Sequence, residues 1–325
     1  MFYLGIDVSK AKLDCLLLDT TSNKRKSKSI PNTPAGYSTL LTWLDKQQAS
    51  NVHVIMEPTG PYHEPAALAL TDGGVTLSLV NPAQVRQFAQ GIGVKSKTDA
   101  ADSAVLAQYG AARQPAPWQP PSLSVRQLRA LLARRDAVAD DLQREKNRAE
   151  KALATETPPL VQASIEQSIA FLSNELNQLQ QAIAQHIDDD PDLRGKKELL
   201  LTIPGVGQRV SDHLTALLAA RDFHAAEQLA AYLGLTPVEW QSGSSVRGRP
   251  RLSKAGPAHL RKLLYLPAVA ATKCNPHIKA TYERLIARGK PKMAAIGAAM
   301  RKLAHLCFGV VKTGQPYNPH WLVET

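Results

Sequence analysis

Four prolines within the eight residues Gln114–Pro121 (QPAPWQPP) interrupt both helix and sheet, and so divide the chain into two stretches. Before them, Phe2–Asp7, Leu13–Leu18, Val52–Met56 and Val75–Val80 read as strands, the first two close enough to form a hairpin. Pro34–Gln48, Pro65–Leu70, a segment begun by Asn81-Pro82, and about Asp99–Arg113 read as helices. Strands alternating with helices predict an α/β sheet with helices packed on it. After the prolines come two long helical segments separated by Pro158-Pro159. The second places Ile165, Ile169, Leu172, Leu176, Leu179 and Ile183 at heptad spacing, and Leu128, Leu131, Val138 and Leu142 keep a compatible register in the first. That pattern predicts an antiparallel helical hairpin or coiled-coil arm, its seam closed either within the chain or between subunits. From about Lys196 to Gly314 the pattern is helical and basic. The expected division is residues 1–113, a linker 114–121, an arm 122–190 and a helical domain 196–325.

Charge follows the same division. Residues 1–195 hold 20 Lys/Arg against 21 Asp/Glu, whereas residues 196–325 hold 19 against 7. Within 240–312, 15 basic residues surround a single acid, Glu283. Such asymmetry points to a polyanionic partner, because phosphate neutralisation dominates affinity for nucleic acid. Three scattered cysteines, Cys15, Cys274 and Cys307, exclude a disulfide scaffold and a Cys-based zinc site, and fit a reducing cytoplasm. No apolar run reaches the length of a membrane span, and Asp7 falls where a signal peptide needs apolar residues, so neither a secreted nor a membrane protein is expected.

Three constellations could carry chemistry. Asp7 and Glu57 each end an apolar strand, and Asp99 and Asp102 share one face at the start of a helix. Carboxylates at strand ends are costly to desolvate unless a cation or polar cleft accompanies them, and four converging oxygen donors suit Mg2+. Taken singly, Asp99 could serve the helix start and Asp7 the hairpin turn. Next, Ile203-Pro204-Gly205-Val206-Gly207 lies between two helical patterns. It resembles a helix-hairpin-helix element, whose free backbone N–H groups grip phosphates, or it is an ordinary glycine turn. Finally, Gln241–Arg251 (QSGSSVRGRPR) sets three hydroxyls beside three arginines. Arginine forks match phosphate oxygens, and a serine among them could attack a phosphodiester; the simpler alternative is a flexible loop that only binds phosphate. No histidine lies at triad spacing to this loop.

These pieces resemble, in order and over nearly the whole chain, the DEDD-type insertion-sequence transposases that include the pilin-gene invertases. The matching segments are Tyr3–Lys10, Met56–Tyr62, Val80-Asn81-Pro82 with Lys97–Asp102, Ile203–Gly207, Gly234–Pro237, Ser242–Gly248 and Ser253–Gly256; Ser103 stands where alanine is expected. The resemblance implies an RNase H-like (RuvC-like) domain with Asp7, Glu57, Asp99 and Asp102 as the Mg2+ ligands, a coiled-coil arm, and a helical domain bearing a nucleophilic serine. Ser242 is the favoured serine, ahead of Ser244 and Ser245. It further implies donor and target DNA, a structured guide (bridge) RNA, and a homodimer or homotetramer with the active site formed in cis or across subunits. Lys97, Gly205, Gly207, Ser244, Ser245, Arg247, Arg249, Arg251, Lys254, Arg261 and Lys262 are the expected nucleic-acid contacts. Rival readings are a junction-resolving nuclease that uses water and a non-catalytic nucleic-acid-binding protein. An actin-like sugar kinase, which also opens on a Leu-Gly-Ile-Asp strand, lacks its second acidic hairpin and adenosine motif here.

Overall fold

A computed structural model of the 325-residue chain describes residues 1–49, 51–94, 98–239, 241–242, 246–247 and 250–320, with the backbone alone at Ala100, Gln241, Ser242, Val246 and Arg247. It forms two compact units, Met1–Pro120 and Pro121–Thr325.

The first unit is a five-stranded sheet of β1 (Phe2–Val8), β2 (Lys12–Asp19), β3 (Arg25–Pro31), β4 (His53–Met56) and β5 (Thr76–Leu79), in the order β3-β2-β1-β4-β5. β1, β2 and β3 pair antiparallel, whereas β4 lies parallel to β1 and β5 parallel to β4. Four helices complete the unit: α1 (Pro34–Lys46), α2 (Glu64–Asp72), α3 (Pro82–Gly91) and α4 (Asp99–Arg113). Side chains alternate across a strand, so β1 and β4 feed two cores. Leu4, Ile6, Val54 and Met56 pack with Tyr37, Leu40, Leu44 and Ala67 of α1 and α2. Tyr3 and Ile55 pack instead with Val85, Val105, Leu106 and Tyr109 of α3 and α4. Gly5 makes the second layer close: a Cβ there would lie 2.0 Å from the Ser103 carbonyl oxygen, so α4 rests directly on β1.

β3 is an addition to the sequence reading. Its RKSKSIP segment buries only Ile30, as suits a polar edge strand. The prolines at 114–121 do not run free either. The Trp118 N–H donates to the Leu77 carbonyl (2.6 Å), and the Ser78 hydroxyl donates to the Ala116 carbonyl (2.7 Å), which lays this segment along β5.

The second unit opens with two long helices, α5 (Leu123–Leu153) and α6 (Pro159–Asp188), packed against each other. Leu128, Leu132, Val138, Leu142, Ile183 and Ile187 are buried along them, and Leu131, part-buried, packs against the same cluster. Farther along α6 the seam residues are only part-buried, and Leu160 and Phe171 are 82% and 66% exposed. There follow α7 (Pro191–Leu201), α8 (Gln208–Ala220), α9 (Ala226–Tyr232), four two-residue strands β6 (Pro237–Val238), β7 (Gln241–Ser242), β8 (Val246–Arg247) and β9 (Arg251–Leu252), and then α10 (Ala258–Cys274), α11 (Pro276–Ala287) and α12 (Lys292–Thr313). The short strands interrupt what the sequence pattern reads as continuous helix, and α7 starts several residues before Lys196. α12 is long and apolar enough to cross a membrane by length and composition. Its Ala299, Leu303, Ala304, Cys307 and Val310 nonetheless lie in the core formed with α7–α10.

Charged groups are buried where α5 meets α7 and α8. Arg135 (5% exposed) lies 3.4 Å from Asp212 (6% exposed), which is also 3.0 Å from Lys197. Asp136 contacts Arg135 at 3.0 Å, Arg209 at 3.1 Å and His213 at 3.0 Å. Each carboxylate therefore has at least two cationic or imidazole partners, the condition under which buried charge is tolerated. Burial acts to raise the Asp136 pKa, but the His213 hydrogen bond and the charges of His213, Arg135 and Arg209 outweigh it and hold the carboxyl well below its usual range.

Candidate metal centre and serine loop

Three elements bring acids together in the first unit. β1 carries Asp7 near its end, and the antiparallel register sets Asp14 of β2 directly opposite. The parallel register sets Met56 beside Ile6, so Glu57, the next residue along, follows β4 at the level of Asp7. α4 begins on Asp99 because Thr98 caps it, its hydroxyl accepting from the Ala101 N–H (3.2 Å); Asp102 falls one turn on. The result is a set of Asp7, Asp14 and Asp99 carboxylate oxygens all within 4.8 Å of one another.

Asp102 belongs to the same electrostatic group. The Asp7 carboxyl is half-buried, and its pKa is raised first by that desolvation and then by the negative charges of Asp102, Asp99 and Asp14. Asp99 is shifted the other way, chiefly by its hydrogen bond from Lys12. Lys12 Nζ lies 2.8 Å from Asp14 Oδ2 and 2.9 Å from Asp99 Oδ2. Thus Asp7 and Asp99 share one cluster with Asp14, the charge of Asp102 acts on Asp7, and Glu57, half-buried, follows the adjacent strand. Sequence reading missed Asp14 and Lys12. The signal was available in the hairpin: a turn centred on Lys10 and Ala11 makes residues 7 and 14 cross-strand partners. An all-carboxylate cluster offers only hard oxygen donors, which fits a divalent cation such as Mg2+, Mn2+ or Ca2+.

In the second unit, Ser242 pairs with Val246 across the β7–β8 ladder and Gln241 with Arg247. Ser244, Ser245 and Arg249 fall outside the described residues, as does Lys97. The base of this loop is built from backbone packed on backbone. β6 pairs with β9, the Ser253 N–H donates to the Thr236 carbonyl (2.8 Å), and the Lys254 N–H donates to the Gly234 carbonyl (3.2 Å). Gly234 and Gly256 both have positive φ, and a Cβ on them would lie 2.2 Å from the Ala255 carbonyl oxygen and 1.9 Å from that of Tyr232. The Gly-Leu-Thr-Pro and Ser-Lys-Ala-Gly segments are thus two halves of one glycine-dependent clasp. Arg251, Lys254 and Lys262 are exposed nearby in sequence, whereas Arg261 is part-buried and donates from Nη1 to the carbonyls of Leu233 (3.2 Å) and Ala255 (3.4 Å). Arg261 therefore braces the clasp.

Between α7 and α8, Gly205 takes φ +100° against Ala271, and Asn275 Nδ2 donates to the Pro204 carbonyl (3.3 Å). Gly207 caps α8 in an extended conformation, with open space where a side chain would stand. This leaves room at the start of α8 for a phosphate to approach backbone N–H groups.

The chain matches a DEDD-type IS110 transposase family over residues 4–158 and the family described as "Transposase IS116/IS110/IS902 family" over residues 197–283. It is 32% identical to the pilin gene-inverting protein of Moraxella lacunata over 320 residues, 97% of each chain, and equally so to that of Moraxella bovis. A probable family 20 transposase of Pseudomonas aeruginosa is 26% identical over 181 residues, 52% of each chain. Such matches define an enzyme of the DNA transposase and recombinase class. Within it, the chain belongs to the IS110 family of insertion-element transposases, whose DEDD designation implies a divalent metal.

Proposed function

We propose that this protein cuts and rejoins DNA strands at specific sites through a serine nucleophile, assisted by Mg2+ held by Asp7, Glu57, Asp99 and Asp102. The observation that supports this most is that two of these four, Asp7 and Asp99, converge with Asp14 into one all-oxygen group, to which Asp102 adds its charge. When bound, the ion supplies charge neutralisation at the scissile phosphate and a lower proton affinity for the nucleophile. The remaining steps fall to the chain. The Ser242 hydroxyl attacks phosphorus in line; an Oγ–P ester forms as the bond from phosphorus to the leaving sugar oxygen breaks, and the proton lost by serine is balanced by the one that sugar oxygen gains. Attack by the sugar hydroxyl of a second strand reverses the exchange and frees the serine, so no external energy source is consumed. Arg247, Arg249 and Arg251, with Lys97, Ser244, Ser245, Lys254 and Lys262, bind phosphate oxygens, and Gly205 and Gly207 offer backbone N–H groups.

The β3-β2-β1-β4-β5 order, with only β2 antiparallel to both of its neighbours, supports an RNase H-like (RuvC-like) reading of the first unit. α5 and α6 are read as a coiled-coil arm, giving three working parts at 1–113, 122–190 and 196–325. Likeness to the pilin gene-inverting proteins favours rearrangement of a DNA segment between donor and target sites. The strongly basic second half accommodates a guide RNA as well as DNA, with a homodimer or homotetramer assembling the acids and the serine into one site.

The test is strand exchange with purified protein and paired DNA sites. Ser242→Ala is expected to abolish exchange and any covalent protein–DNA adduct, Ser244→Ala to keep the adduct, and Asp99→Ala to abolish both. Exchange that persists in Ser242→Ala and is lost only in Asp99→Ala would favour a water-using nuclease. Sequencing of co-purified RNA tests the guide: one discrete structured species is expected, and none would remove it from the scheme.

A further inference from the structure

The acid cluster already contains a cation, and the chain itself supplies it. Lys12 opens β2 two residues before Asp14, so both side chains leave the same face of the strand. Its backbone is fixed by the hairpin turn. The Lys12 N–H donates to Ser9 Oγ (3.1 Å), and the Ser9 hydroxyl (2.8 Å) and N–H (3.0 Å) both donate back to the Lys12 carbonyl. Asn32 Nδ2 in turn donates to the Ser9 carbonyl (2.9 Å). From this anchored root, Nζ bridges Asp14 and Asp99 at 2.8 and 2.9 Å.

A usual surface lysine pairs with one carboxylate and contributes little. Here one ammonium spans a carboxylate of its own strand and one on a helix 87 residues from the lysine, inside a group of four acids that repel one another. The two carboxylates it engages belong to the three-carboxylate cluster with Asp7, and one of them, Asp99, is a proposed ligand of the divalent ion. An ammonium and a dication cannot both sit against those oxygens without strong mutual repulsion.

We propose that Lys12 is a built-in counter-cation of this centre, neutralising Asp14 and Asp99 and tying α4 to the sheet until a divalent ion displaces it. The inference rests on the metal-centre reading above. Metal binding is then an exchange of one cation for another, and the freed ammonium, on its flexible stem, has a DNA phosphate as its natural new partner. Metal and phosphate therefore favour the same displaced position of Lys12, which couples their binding.

Titration of full-length protein with Mn2+, followed by the electron paramagnetic resonance of the free ion, tests this. Lys12→Met is expected to bind Mn2+ about tenfold more tightly than wild type, because a competing positive charge has been removed. Lys12→Arg should stay near wild type, and Asp99→Asn should lose binding. Before Mn2+ is added, Lys12→Met should melt below wild type, and Mn2+ should close the gap. Equal or weaker Mn2+ affinity in Lys12→Met, with a native circular dichroism spectrum, would overturn the inference and leave the metal centre standing. Absence of Mn2+ binding by wild type, or undiminished binding by Asp99→Asn, would remove the metal centre and the inference with it.

Discussion

The two units each gather charged side chains, and they do so in opposite ways. Around Asp7, four aspartates meet one bridging lysine, and Asp7 itself, half-buried, has its pKa raised by burial and by its neighbours. Around Asp136 and Asp212, by contrast, every carboxylate is matched by arginine, lysine or histidine, and Asp136 is shifted the other way. A matched network is complete as it stands and joins α5 to α7 and α8. An unmatched one is complete only with an added cation, which is the mark of a binding site rather than of a structural joint.

The largest effect should come from removing the scaffold of the unmatched cluster. Gly5→Ala forces a Cβ into the Ser103 carbonyl and has no flexible side chain to push aside. It should destabilise the first unit by about 4 kcal/mol or more, read as a lost or early thermal transition, and abolish divalent-ion binding with it. Arg135→Ala strikes the matched cluster. It should cost about 3 kcal/mol by stripping Asp212 and Asp136 of a shared partner, visible in urea unfolding, while Mn2+ affinity stays at the wild-type value. A change in metal affinity would mean that the two clusters are not separate in function.

pH separates them further. Because the partners of Asp136 hold its folded pKa below the usual aspartate value of about 4, its stabilisation is fully present above about pH 4 and is lost as pH falls from there through the folded value. Asp136→Asn should therefore flatten the acid limb of a melting-temperature profile, and an unchanged limb would exclude this carboxylate as its source. The smallest effect is a gain. Asp7→Asn removes a desolvated, repelled carboxylate, so it should raise the melting temperature by a few degrees in chelator while abolishing strand exchange. A lower melting temperature would show that the Asp7 charge is already compensated.

Part of the acid cluster was legible: Phe2–Asp7 reads as a strand closing on an acid and Asp99 as the start of a helix, and both carboxylates fall in the cluster, while Val52–Met56 marks the neighbouring strand. Asp14 was hidden by register, since one must align the hairpin residue by residue to see it face Asp7. β3 was hidden by composition, because an edge strand that buries only Ile30 has no apolar alternation to read. Arg135 looked like one of several solvated charges between heptad positions. Only the packing of α8 against α5 turns it inward, and tertiary contacts of that kind leave no local signal. The glycines of the clasp were visible as motifs, but their reason, two carbonyl oxygens within about 2 Å of any added Cβ, belongs to the fold.

The residues from Pro115 to Trp118 carry a practical lesson about where this protein can be divided. They lie along β5, the outermost strand on that side of the sheet, and Trp118 occupies a hydrogen-bonding position that another molecule's strand could otherwise take. A cut placed at residue 113, where α4 stops, would bare that rim and invite one fragment to stitch onto the next. A cut placed after Pro120 keeps the hem sewn.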